Sequence, residues 1–161
     1  RICEAATYSL AGRSRRGTEG DPARAQSRWT ETPLRLVVVD TSILVESLTG
    51  PRRLYPVLRR VLDSGQKLQI PTLVLYEWRR GPRTQPELAI QEILLPSESA
   101  LHFGPEEAVI AARLNQQAPR ARGREIDLAI AACAITREIP LWTLNRKDFD
   151  DIPGLVLASL D

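Results

Sequence analysis

The sequence predicts an α/β domain built around a parallel, doubly wound sheet, and two observations carry that prediction. Residues 34–48, L-R-L-V-V-V-D-T-S-I-L-V-E-S-L, join a short β-branched run directly to a helix-like segment, with Asp40 at the junction. An apolar run without alternation suits a strand buried on both faces, as in a parallel sheet. Beyond it, strand-like and helix-like stretches alternate to the end of the chain, the pattern of βαβ units.

The elements follow in order. Asp40-Thr41-Ser42 offers side-chain oxygens to the free N–H groups of a helix starting near Thr41. Thr49-Gly50-Pro51 marks a turn. The second helix is expected over residues 54–64, where Leu54, Val57, Leu58, Val61 and Leu62 form an apolar stripe. Arg52, Arg53, Arg59 and Arg60 line its other side, as a solvated face or as phosphate contacts. Gly65 ends this helix and residues 67–70 form a short strand. Pro71-Thr72 opens the next helix, whose core L-V-L-Y-E-W is broken by Glu77. Arg79, Arg80 and Arg83 follow around Gly81-Pro82, at the expected helix C-terminus. Residues 86–95 read as helix, 101–103 as a short strand, and 105–117 as a helix begun by Pro-Glu-Glu. A basic loop with Arg120, Arg122 and Arg124 precedes a helix over 125–137, in which nine of the ten residues of I-D-L-A-I-A-A-C-A-I are apolar, so burial is expected. Asp127 is the exception. Residues 141–144 form a last core strand ending in N-R-K-D-F-D-D, and 155–157 an edge strand.

Length and composition narrow the function. A chain of 161 residues is most simply one domain, able to bury about two thirds of its unfolded surface without a disulfide or structural metal. Cys3 and Cys133 are too few and too far apart for a disulfide framework, which fits a reducing cytoplasm. His102 is the sole histidine, so a multi-histidine zinc site is excluded and any metal would need oxygen ligands. No apolar run reaches the roughly 18 residues of a membrane span.

Residues 1–33 hold six arginines against four acids, while residues 34–161 hold sixteen charges of each sign, so the net +2 belongs to the arm. Bulk charge is therefore no argument for nucleic acid. The arm is rich in Arg, Ser, Gly, Thr and Ala without apolar periodicity, and reads as disordered. It lacks the roughly 7–15-residue apolar centre of a secretory signal. The chain contains no methionine, so residues 1–33 are read as an arm or a mis-assigned start, with the domain over 34–161.

Three buried-type elements each carry one carboxylate where an apolar residue is expected: Asp40, Glu77 and Asp127. Asp148 follows the last core strand. Each has an ordinary explanation: a helix cap, a partner for Arg80, a first-turn acid and a turn residue. Together they are harder to dismiss, because buried carboxylates are paired, protonated or bound to a cation. In open α/β sheets ligands lie outside the carboxyl ends of strands, where Asp40 would sit. If the strand ends converge, three or four carboxylates would surround one or two hard ions, Mg²⁺ or Mn²⁺.

Five stretches then resemble the PIN-domain ribonuclease family, and within it the VapC-type toxins of VapBC toxin–antitoxin pairs: V-V-D-T-S (38–42), Y-E-W (76–78), I-D-L-A-I-A-A-C-A (126–134), T-L-N-R-K-D-F (143–149) and I-P-G-L (152–155). They occur in the family's order over roughly residues 36–158; the first two are weak alone, while the last three together are specific. The resemblance implies a three-layer α/β/α sandwich with a central, mainly parallel sheet and a metal-dependent endoribonuclease activity. It makes Asp40, Glu77 and Asp127 the metal-binding carboxylates, with Asp148 a fourth acid acting directly or through water. Thr41 or Ser42, Thr143 and Asn145 would orient those carboxylates or a ligand water. Asp150 and Asp151 rival Asp148, but the spacing to Asn145 favours Asp148; Glu46 reads as a surface residue. Arg79, Arg80, Arg83, Arg120, Arg122 and Arg124 would hold the RNA backbone, or form ordinary solvated surface. An antitoxin protein and a homodimer, with the helix over 54–64 as one interface, are further implications.

Other classes fit less well. A haloacid-dehalogenase-like phosphatase also places Asp after its first strand but needs a second Asp two residues on, and position 42 is Ser. A dinucleotide-binding domain lacks its Gly-rich turn. The remaining alternatives are a PIN-like module that binds RNA or protein without catalysis, and a solitary RNA-processing nuclease.

Overall fold

In the computed structural model the described residues are 36–118 and 122–159. The expectations for residues 1–33, and for Arg120, lie outside them. Three parallel strands form the sheet in the order β2–β1–β3: β1 (Leu36–Val39) lies between β2 (Lys67–Gln69) and β3 (Leu141–Trp142). Leu36 pairs with Lys67 on one side, and Val39 with Trp142 on the other. Consecutive residues of β1, Val37, Val38 and Val39, are all buried. Successive side chains on a strand point to opposite faces, so both faces of the sheet are covered.

Six helices supply that cover: α1 (Thr41–Leu48), α2 (Tyr55–Asp63), α3 (Thr72–Arg80), α4 (Gln85–Leu94), α5 (Pro105–Gln117) and α6 (Glu125–Thr136). Helix α1 packs against α2, α3 and α4, while α6 packs against α3 and most extensively against α5. The seven consecutive residues Leu128–Ala134 of α6 are buried, as its apolar composition requires. Within it the Cys133 thiol is buried, and burial pushes its pKa up to about 11, so it packs as a small apolar group. Gly65, at a φ of +83°, closes α2 where a side chain would be strained.

Two expected strands shrink to single bridges. Leu101 pairs with Pro71, beside the end of β2, and Leu157 pairs with Leu141 of β3, both parallel. Proline cannot donate to a ladder, so the first pairing cannot propagate through Pro71. Leu101 N–H instead donates to Ile70, and Thr72 N–H donates to Leu101. At the other edge Leu141 exchanges bonds with Val156 and Ala158, and the chain arrives there from a turn at Gly154, φ +79°. The strand expected over 141–144 stops at Trp142, because Thr143 and Leu144 turn toward the acids described next. No helix among the described residues is long and apolar enough to cross a membrane.

Candidate metal and active site

Strand β1 delivers Asp40 to the carboxyl edge of the sheet, where its main-chain N–H donates to Trp142 of β3. The Asp40 carboxylate is buried, 4% exposed. One oxygen, Oδ2, collects every donor that reaches it: Thr143 Oγ1 at 2.8 Å, Ser42 Oγ at 2.6 Å and the Ser42 N–H at 3.4 Å. The last contact is the helix cap anticipated for α1. Oδ1 receives no hydrogen bond among the described residues. Ser42 Oγ also accepts the Leu144 N–H, and Thr143 Oγ1 accepts the Asn145 N–H, so the two hydroxyls clamp the end of β3 while orienting Asp40.

Helix α3 brings Glu77 to the same place. Thr41 Oγ1 donates to its Oε2 at 2.8 Å, and exposed Arg80 approaches Oε1 at 3.5 Å. Helix α6 adds Asp127 in its first turn. Asp40, Glu77 and Asp127 line one cavity of about 430 Å³ with Thr41, Ser42 and Asn145. Its electrostatics are unbalanced. Burial, and then the charges of Asp40, Asp148 and Glu77, push the Asp127 carboxyl up to about 6 against the opposing pull of Arg124.

Asp148 sits apart. It ends a 3₁₀ turn (Arg146–Asp148) and is half-buried; it acts on Asp127 through its charge but is not among the residues lining the cavity. Its rivals are otherwise engaged: Asp151 binds Arg124, while Asp150 is exposed and lies 3.9 Å from Arg146. Glu46, read from sequence as a surface residue, instead lines the cavity from α1 and is half-buried. It lies six residues beyond Asp40, and the cavity extends along α1 past Val45 to reach it. Nothing in its local sequence marks it.

The arginines separate as well. Arg80 stacks 5.6 Å from the exposed Tyr76 ring, and of the expected RNA contacts among the described residues it is the one that touches a cavity acid. Arg79 is held by Glu92 and Ser97, and Arg83 folds back 4.3 Å over the buried Trp78 ring. Arg122 is exposed. Arg124 departs from the solvent-facing role expected of it: it is buried, 8% exposed, and occupied by Asp151. A buried guanidinium needs paired acceptors, and the Asp151 carboxylate and the Asp148 carbonyl supply them here.

The donor set suits a hard divalent ion. Carboxylate and hydroxyl oxygens line one cavity, Asp40 Oδ1 accepts no hydrogen bond among the described residues, and a cation would offset the like charges there. As the side chains stand, no group of three or more His, Cys, Asp or Glu among the described residues is gathered closely enough to form a complete cage. Mg²⁺ seldom asks for one, since one or two carboxylates and several waters commonly hold it.

This arrangement has relatives. Residues 37–155 match the family model of the PIN domain. The chain belongs to the PIN-domain family. Among curated PIN-domain relatives, a ribonuclease VapC of Rickettsia bellii is 32% identical over 133 residues, covering 77% of this chain and 96% of that protein. The PIN fold is shared with the solved VapBC2 of Rickettsia felis bound to a promoter DNA fragment (TM-score 0.62, 24% identity, 78% of this chain and 99% of that one). DNA-bound VapBC of Salmonella typhimurium is similar to it too (TM-score 0.63, 18% identity, 79% and 99%).

Proposed function

We propose that this PIN-domain protein is a Mg²⁺- or Mn²⁺-dependent endoribonuclease and the toxin of a type II toxin–antitoxin pair. The observation that carries the nuclease reading is the cavity lined by Asp40, Glu77 and Asp127, with the Asp127 carboxyl raised by burial and then by its acidic neighbours. Membership of the PIN family and the likeness to a ribonuclease VapC support the reaction class.

Asp40, Glu77 and Asp127 are the side chains that would hold the ion, with Asp148 contributing directly or through water. One or two divalent ions held by these carboxylates would supply an activated water and charge neutralisation at the scissile phosphate. The chain's own work is positional. Ser42 and Thr143 fix Asp40, and Thr41 fixes Glu77, so that two carboxylates from different elements face one space. Asn145 lines the same space as a hydrogen-bonding side chain for a water or a phosphate oxygen. Arg80, exposed beside Glu77, is the cation assigned in this reading to the RNA backbone, with Arg122 more distant in the chain. Single-stranded or loop RNA, whose bases are accessible, is the favoured substrate.

The toxin assignment adds an antitoxin protein, supported by solved neighbours that are VapBC assemblies. It also adds a cytoplasmic setting, a homodimer being part of the same reading. Purified protein is expected to cleave RNA with Mg²⁺ or Mn²⁺ and to stop in EDTA. Asp40→Asn and Asp127→Asn are each expected to lose more than about a hundredfold, beyond the loss typical of residues behind a metal ligand. Cleavage surviving both substitutions would sink the site assignment.

A further inference from the structure

Arg124 precedes α6 with its side chain only 10% exposed. Its Nη1 and Nη2 donate to the two carboxylate oxygens of Asp151 at 3.0 and 2.6 Å, and Nη2 also donates to the main-chain carbonyl of Asp148. A guanidinium fork on a carboxylate fixes direction as well as distance. Three residues beyond Arg124, in the first turn of α6, stands Asp127, and the carbonyl that Arg124 grips belongs to Asp148 itself. The turn that carries Asp148 is otherwise shaped by local bonds: Asp148 and Phe149 N–H groups reach back to Asn145 and Arg146, and Asp150 N–H to Arg146. Those bonds set the form of the turn but do not tie it to α6. Arg124 does.

We propose that buried Arg124, paired with the more exposed Asp151, is a positioning clamp that sets Asp148 against Asp127 for catalysis. The clamp rests on the nuclease reading of the four acids. It makes Asp151 a structural partner rather than a fourth metal-binding acid, and it gives the basic loop before α6 a purpose other than RNA contact.

The test uses Arg124→Gln, Arg124→Lys, Asp151→Asn and Asp148→Asn, with the Arg124→Gln/Asp148→Asn double variant, at a temperature where circular dichroism shows each folded. Hydrogen exchange of residues 146–151 is followed in metal-free protein, binding of a labelled single-stranded RNA is measured in EDTA, and kcat and KM are measured with Mn²⁺. Arg124→Gln and Asp151→Asn are expected to lose roughly ten- to a hundredfold in kcat, the range for residues that orient a metal ligand. KM and RNA affinity in EDTA should stay within about twofold, residues 146–151 should exchange faster, and Arg124→Lys should recover part of the loss. The double variant should be no slower than Asp148→Asn alone, because the clamp acts through Asp148. The proposal is overturned if RNA affinity falls and KM rises. In that case Arg124 serves RNA binding rather than the placement of Asp148. Multiplying losses in the double variant, or a lowered melting temperature with unchanged kcat, overturns it equally. A wild-type protein that cleaves no RNA refutes the nuclease reading, while the exchange comparison still decides whether the clamp holds the turn.

Discussion

Asp40 gathers its donors on one oxygen: Oδ2 caps α1 and receives two hydroxyls, while Oδ1 receives no hydrogen bond among the described residues. Thr143 is the support most separable from folding, since Val keeps its shape. Thr143→Val should lower kcat roughly ten- to a hundredfold. It should cost about 1 kcal/mol of stability, read from denaturant midpoints. Asp127 makes the opposite trade. Its carboxyl titrates at about 6 in the fold against an ordinary 3.8, so its contribution to stability is intact below about pH 4 and is lost as pH rises through 6. In metal-free protein Asp127→Asn should therefore raise stability above pH 6, by about 1 kcal/mol after solvent screening, and change nothing near pH 3.5. These acids were legible in sequence because a carboxylate inside an apolar run needs a reason. Glu46 was not, since a glutamate on the polar side of a short helix has the same pattern whether it meets water or a cavity. Arg124 was hidden differently: the composition of a basic loop does not say which side chain turns inward.

At the level of elements, α5 and α6 are joined by a buried acid that the pattern Pro-Glu-Glu does not single out. Glu107 accepts the Gly104 N–H at 2.8 Å, closing the start of α5, and pairs with Arg137 at 2.7 Å beyond the end of α6. Burial works to raise its pKa, but the backbone N–H groups of Glu107 and Gly104 and the Arg137 guanidinium outweigh burial and hold it below the usual value. The stability it contributes is present above the ordinary carboxylate pKa and is lost as pH falls through the depressed one. Glu107→Gln should cost about 1–2 kcal/mol at pH 7 in denaturant unfolding, and the gap from wild type should close in acid. Helix positions were readable because capping, proline and apolar spacing are local signals. Strand lengths were less so: whether residues 101–103 extend a ladder depends on Pro71, thirty residues away in the chain, lacking the N–H that would answer them.

For the molecule as a whole, the alternation of β-branched runs and amphipathic segments was enough to indicate a parallel α/β sheet, and the structure and the family bear that out. The meeting of acids from β1, α3 and α6 at one cavity follows from topology, which no single stretch encodes. If that cavity takes a cation in the folded state alone, Mn²⁺ at a hundred times its dissociation constant should raise the melting temperature by roughly 8–10 °C. The rise should vanish in Asp40→Asn, as a thermal scan would show.

The chain carries its own optical reporter of these events. Of its three tryptophans, Trp78 and Trp142 are 0% and 3% exposed, the first following Glu77 and the second bonded through its carbonyl to the Asp40 N–H. With Trp29→Phe, only those two indoles would remain to emit, both shielded from water, with the Arg83 cation resting over one of them. Their fluorescence should be blue and closed to iodide in the native state, so loosening of the elements that present the acids can be watched without a label.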